Sequence, residues 1–168
     1  MEISLKMTRS TFGKYIFYFC LFFIIFLLDR ISKIYILSMS NEETLNIYVN
    51  DFLSIILIWN TGIGFGLFSS SQEIFYNIIT VVISFINILI IYLIITSDRL
   101  RSFFYVIILG GSAGNLFDRL YYSAVPDFID LNYKGFHWFV FNVADIFISL
   151  GIICLIIREL LEYKKKNV

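Results

Sequence analysis

Proline occurs once in 168 residues, at Pro126, and cysteine twice, at Cys20 and Cys154. Both cysteines sit inside apolar runs, so they resemble neither a disulfide framework nor a metal cluster and read as packing residues. The single histidine, His137, has no second imidazole to share a metal and no evident nucleophile partner for a Ser-His-Asp set. Charge is scarce as well. Asp, Glu, Lys and Arg make up 15% of the chain, where a soluble domain carries about 25%. The 13 basic and 13 acidic side chains cancel, leaving no basic excess to neutralise phosphates, which argues against nucleic acid as a partner. Linkers, internal repeats and low-complexity tracts are lacking too, so residues 1–168 are expected to form one domain.

What the chain does have is apolar surface: 59% hydrophobic residues, 19% of all residues being aromatic. That composition excludes disorder and points to an integral membrane protein. A hydrocarbon core of about 30 Å needs roughly 20 mainly apolar residues in helix. Four stretches qualify, at about 15–37, 74–95, 103–122 and 142–161. Basic residues ahead of the first stretch give it the look of a signal peptide. It is too long and too charged for one, however, and is expected to stay attached.

Orientation follows from Lys and Arg in short loops. Lys6, Arg9 and Lys14 precede the first span, Arg99 and Arg101 separate the second and third, and Arg158, Lys164, Lys165 and Lys166 close the chain. Residues 38–71 contain no Lys or Arg, and 123–141 only Lys134. Both termini are therefore expected in the cytoplasm. Leu45, Ile47 and Val49 alternate with Asn46, Tyr48 and Asn50, the period of a half-buried strand. Residues 52–59 read as a strand or an interfacial segment. The expected fold is an all-α membrane protein with four transmembrane helices and a small extracytoplasmic β-like, amphipathic segment between helices 1 and 2.

Placed by depth, the polar residues converge on the outer boundary. Asp29, Arg30 and Lys33 lie toward the outer end of span one, and Asn60 lies in the first outer loop. Asn115, Asp118 and Arg119 end span three, Asp127 and Asp130 follow it, and Asn142 and Asp145 open span four. Ionisable groups at membrane depth are costly, and five segments contributing them to one level look like a site. Simpler readings exist for some of these features. Asp29 and Lys33 have the spacing of a helix ion pair. Gly110-x-x-x-Gly114 permits close helix packing. Gly62-x-Gly64-x-Gly66 lacks the strand–turn–helix setting of a nucleotide loop. His137, between Phe136 and Trp138, reads as an interfacial aromatic-belt residue.

Two carboxylates, Asp127 and Asp145, have no basic partner nearby in sequence. Close together in a poorly solvated site, such a pair shares one proton and its two pKa values split. One member then serves as general base and the other as general acid near neutral pH.

The chain resembles the lipoprotein signal peptidase family, also called signal peptidase II (aspartic peptidase family A8). The resemblance spans nearly the whole chain, through Asp29-Arg30-Ile31-Ser32-Lys33, Asn60-Thr61-Gly62 with Phe65, Gly110-Gly111-Ser112-Ala113-Gly114-Asn115-Leu116-Phe117-Asp118-Arg119, Val125-Pro126-Asp127-Phe128-Ile129 and Phe141-Asn142-Val143-Ala144-Asp145. It implies an aspartic endopeptidase of the bacterial inner membrane that removes the signal peptide from prolipoproteins, cutting before a diacylglyceryl-modified cysteine. It also implies Asp127 and Asp145 as the catalytic pair. Asn60, Gly62, Asn115, Arg119 and Asn142 would line the cleft, Asp29 and Lys33 would support or contact it, and Asp118 would orient Arg119. Globomycin-type inhibitors and membrane lipids are the other implied partners. No cofactor or metal is expected, and a monomer is the expected state. Gly64, where many members have Ala, and Pro126, where an aliphatic residue is usual, depart from the pattern without removing a reacting group. Two readings from other classes compete: a small proton- or ion-coupled membrane transporter, since buried Asp and Asn also mark ion pathways, and a non-catalytic lipid-binding or assembly subunit.

Overall fold

The computed structural model describes residues 2–40, 45–62 and 73–167, so Glu42, Glu43, Gly64 and Phe65 lie outside the described residues. Along these residues run α1 (Glu2–Met39), β1 (Asn46–Asn50), β2 (Leu53–Asn60), α2 (Glu73–Thr96), α3 (Arg99–Tyr122), β3 (Val125–Tyr133), β4 (Phe136–Phe141) and α4 (Val143–Lys166). Three helices are long and apolar enough to cross a membrane, at Thr11–Met39, Tyr76–Thr96 and Arg99–Tyr122. α4 equals α2 and α3 in length, at 24 residues, but carries Asp145 in its first turn and Arg158, Glu159 and Glu162 in its last turns.

The distribution of side chains is inverted relative to a water-soluble protein. Val81, Phe85 and Ile88 of α2 are 65–68% exposed, whereas Asp29, Lys33, Asp118 and Asn142 are completely buried. Such a surface is disfavoured in water and required in hydrocarbon, where polar groups must find partners inside the protein. The chain is a helix-rich membrane protein.

α3 packs against the other three helices. Small residues allow that approach. A Cβ at Gly111 would stand 2.5 Å from the Ala144 carbonyl oxygen of α4, and one at Gly114 would stand 2.4 Å from Oδ2 of Asp29 in α1. Close packing is therefore a real role of the glycine motif, and Gly114 also makes room for a charged side chain. At the far end, the α2–α3 turn is held by Asp98, whose carboxylate accepts from the N–H groups of Leu100 and Arg101. The Ser102 hydroxyl donates to the Ile94 carbonyl at 2.9 Å, and the Tyr18 hydroxyl ties α1 to the Arg99 carbonyl at 2.7 Å. Tyr18, Ile90, Ile94, Val106 and Ile108 form the apolar core there.

At the opposite end lies one antiparallel sheet of order β1-β2-β3-β4. The reading of an all-α fold with one β-like segment needs correction here. Residues 45–59 do form β1 and most of β2, but β3 and β4 come from the segment between α3 and α4. The period-2 signal is missing there for a physical reason: β3 is an inner strand, and its first four residues are all buried, so it shows no clean alternation. The β3–β4 hairpin turns at Lys134 (φ 51°) and Gly135 (φ 79°), both left-handed as a two-residue type I′ turn requires. Phe128 of β3 and Leu57 of β2 pack with Ile36 of α1, seating the sheet on the helices.

Candidate active site

The site grows from α1. Asp29, Arg30 and Lys33 lie within two turns of helix, and all three are buried. The Lys33 ammonium donates to Oδ2 of Asp29 at 2.8 Å and to Oδ1 of Asn115 at 2.7 Å, and forms an ion pair with Oδ2 of Asp118 at 2.6 Å. Arg30 pairs with Oδ1 of Asp118 and lies over the Phe117 ring, 4.6 Å from its centroid. The second oxygen of Asp29 accepts from the Ala144 N–H at 2.9 Å, in the first turn of α4, where exposed N–H groups and the helix dipole favour an anion. Asp118 therefore does not orient Arg119, as the resemblance had implied. Gly111, Gly114, Asn115 and Asp118 share the i, i+3, i+4, i+7 face of α3 that meets α1 and α4, and Arg119 lies one step around the helix.

This network fixes the next. With its carbonyl oxygen taken by Lys33, Asn115 presents Nδ2 to Oδ1 of Asp145 at 2.9 Å. Oδ2 of Asp145 accepts from the Asn142 N–H at 3.2 Å, and the Asn142 carbonyl oxygen accepts from the Asp145 N–H at 3.1 Å, a capping box opening α4. That leaves the Asn142 amide nitrogen to donate to Oδ1 of Asp127 at 2.6 Å. Asn60, at the end of β2, is oriented in the same way. Its carbonyl oxygen accepts from the Gly62 N–H at 2.8 Å, so its amide nitrogen donates to Oδ2 of Asp127 at 2.8 Å.

Asp127 and Asp145 are thus brought within reach of one residue, Asn142, which donates to both. Each of their four oxygens accepts from an amide, and neither carboxylate forms an ion pair among the described residues. Asp127 is 2% exposed and Asp145 7%. Burial first, and the charge of Asp145 second, push the Asp127 carboxyl up to about 7, against the donation from Asn60 and Asn142.

Arg119 closes the same space. Its Nη2 donates to the Gly62 carbonyl, its guanidinium lies 5.4 Å from the Tyr76 ring centroid, and the Tyr76 hydroxyl donates to its backbone carbonyl at 2.7 Å. Its Nε and Nη1 are buried without a hydrogen-bond partner among the described residues. A cavity of about 260 Å³ runs from Asp145 along α4, lined by Phe139, Phe141, Ile146, Ser149, Leu150 and Ile153.

All ten residues singled out in the sequence meet in this region. Sequence reasoning missed the ion-pair role of Arg30 and the contributions of Tyr76 and the Ala144 N–H. The Ala144 contact had no signal, being made by backbone.

The model of the family described as "Signal peptidase (SPase) II" matches residues 21–161. The chain belongs to that family. The signal peptidase II relatives include the lipoprotein signal peptidase of Pelagibacter ubique, 50% identical over 145 residues, covering 86% of this chain and 87% of that protein. The enzyme of Anaplasma phagocytophilum is 38% identical over 86% of this chain and 92% of its own length. A solved structure described as a bacterial membrane enzyme at 2.3 Å superposes with a TM-score of 0.74 and 27% identity, over 89% of this chain and 90% of the other. Family membership decides between the peptidase and the transporter: the chain is a lipoprotein signal peptidase of family A8, and prolipoproteins are its substrates.

Proposed function

We propose that Asp127 and Asp145 are the catalytic pair with which this signal peptidase II enzyme activates water. The observation that carries this is the contrast among four buried carboxylates. Asp29 and Asp118 are paired with Lys33 and Arg30, whereas Asp127 and Asp145 accept only from amides. Two coupled carboxylates in a poorly solvated site share one proton between them.

The ionised member takes a proton from water as the oxygen bonds to the scissile carbonyl carbon, and the protonated member gives its proton to the carbonyl oxygen. The resulting gem-diol collapses when the C–N bond breaks, the amine nitrogen taking a proton from one carboxyl and the diol returning one to the other. Asn60, Asn115 and Asn142 hold the two acids in register, Gly62 orients Asn60, and Asp29, Lys33 and Asp118 anchor Asn115. The unclaimed Nε and Nη1 of Arg119 offer donors for a substrate carbonyl.

The substrate arrives in the bilayer with its cysteine carrying diacylglycerol. The cavity of about 260 Å³ beside Asp145 has a mainly apolar lining along α4, a surface suited to an acyl chain of the substrate. We read α4 as a fourth span, with both termini in the cytoplasm of a bacterium and the sheet at the outer face of the inner membrane. Support comes from Arg101 and Arg158, which gather with Asp98, Glu159 and Glu162 at the end of the bundle opposite the sheet. Globomycin-type inhibitors would occupy the same cleft.

The test is processing of a diacylglyceryl-modified prolipoprotein by the purified wild type and by Asp127→Asn and Asp145→Asn, each checked for an intact melting transition. Both variants should be inactive; full cleavage by either sinks the assignment.

A further inference from the structure

A second polar cluster lies in the sheet, outside the candidate active site. Asp130 of β3 is completely buried. Its Oδ2 accepts from Nδ2 of Asn132 at 2.9 Å and lies 2.7 Å from Nδ1 of His137 on β4, while Oδ1 is buried without a hydrogen-bond partner among the described residues. The other proton of the Asn132 amide goes to the Ser54 hydroxyl of β2 at 2.9 Å. Four side chains therefore tie three strands together. Such a group is expensive unless it is paired, so its place in a small sheet calls for a reason.

The ladder supplies one. Between β2 and β3 the register runs Ser54↔Asp130 and Ile55↔Ile129, then breaks, resuming at Ile58↔Asp127 with one extra residue on β2. Between β3 and β4 it runs Asp130↔Val140 and Leu131↔Phe139, then breaks before Asn132↔His137 with one extra residue on β4. β3 is thus flanked by a bulge on each side, and Asp130 is tied to residues beside both. A bulge loosens register, and a slip of one residue turns every side chain of the strand to the opposite face. For β3 that slip would carry Asp127 away from Asn60 and Asn142.

We propose that the Ser54–Asn132–Asp130–His137 network is a register lock, and that Asp130 and His137 are positioning residues acting through Asp127. The lock rests on the reading of Asp127 as one of the reacting pair. The buried carboxylate holds Asn132 of its own strand and His137 of β4, and Asn132 carries the tie on to Ser54 of β2. Only the paired register satisfies all of them at once. His137 is thereby a structural ligand of Asp130 rather than an aromatic-belt residue, although its own side chain remains 57% exposed on the edge strand.

The test uses the full-length enzyme in lipid with a diacylglyceryl-modified prolipoprotein, and compares Asp130→Ala, His137→Ala and His137→Gln. A lock predicts that both alanine variants lose kcat by about 10- to 100-fold, the scale of a misplaced reacting group, with KM little changed. His137→Gln, which keeps an N–H donor, recovers most of that loss. A lowered melting temperature with unchanged kcat in the folded fraction overturns the proposal, as does a raised KM with unchanged kcat, or a glutamine that fails to rescue. Should Asp130→Ala not fold, the exposed edge position of His137 lets that pair of variants decide alone. Asp127→Asn is measured in parallel. Activity in that variant defeats the reading of Asp127, whereas an inactive Asp127→Asn beside fully active Asp130 and His137 variants defeats only the lock.

Discussion

Two buried carboxylate pairs sit side by side in this enzyme and differ in one respect, the chemistry of their partners. Asp29 and Asp118 face the Lys33 ammonium and the Arg30 guanidinium, while Asp127 and Asp145 face only amide N–H groups. The first pair is a keystone. It joins α1 to α3 and, through the Ala144 N–H, to α4. The second pair is held in position by amides. Asn115 joins the two regions, its oxygen on Lys33 and its nitrogen on Asp145.

The sharpest way to break this comparison is to remove one acid from each pair. Asp127→Asn and Asp145→Asn should lower kcat by at least about 10³-fold, the scale of general acid–base catalysis, while the fold survives. Asp118→Asn should do the reverse, losing melting temperature first. Next in size is Lys33→Met, which leaves two buried carboxylates facing each other. Breaking a buried pair from one side costs about 3–5 kcal/mol, so chemical denaturation in detergent should register a large loss of stability. Smaller again is Gly114→Ala, whose methyl group would stand 2.4 Å from Oδ2 of Asp29 and should cost about 1–3 kcal/mol by overpacking.

A subtler contrast concerns pH. The Asp127 carboxyl is raised from 3.8 to about 7, so the folded chain holds that proton more tightly than the unfolded chain does. Its stabilising contribution is full below the unfolded value and is lost as pH rises through the folded one. Asp127→Asn removes that loss, so the variant should gain melting temperature relative to the wild type as pH is raised from about 5 to about 8. The smallest effect belongs to the exposed ion cluster at the other end. The guanidinium of Arg158 beside Asp98 holds that carboxyl well below the usual range, yet Asp98 is open to solvent. Asp98→Ala should cost little more than its helix cap, about 1 kcal/mol, with activity unchanged.

The sequence carried the site further than the fold. Asp29, Lys33, Asn60, Asn115, Asn142 and the two acids declare themselves because polar side chains at membrane depth are costly, and cost makes them legible. β1 showed the alternation of a half-buried strand, yet all five of its residues are exposed, so that pattern located the strand without giving its burial. β3 hid because it is an inner strand, and although Asp130 stood out among the polar residues at the outer boundary, its tie to His137 did not. Its partner His137 looked like an interfacial residue because its neighbours Phe136 and Trp138 are aromatic and exposed. The Ala144 N–H was invisible, since any residue has one. Asp118 pointed the wrong way because sequence adjacency to Arg119 is not spatial adjacency on a helix.

The central claim is that two amide-held acids share one proton. It is tested most directly by the pH dependence of kcat/KM for prolipoprotein cleavage in lipid. A shared proton gives a bell, its alkaline limb falling near pH 7 as the Asp127 carboxyl ionises and the general acid is lost. A rate that stays level from about pH 5 to about pH 9 would contradict it.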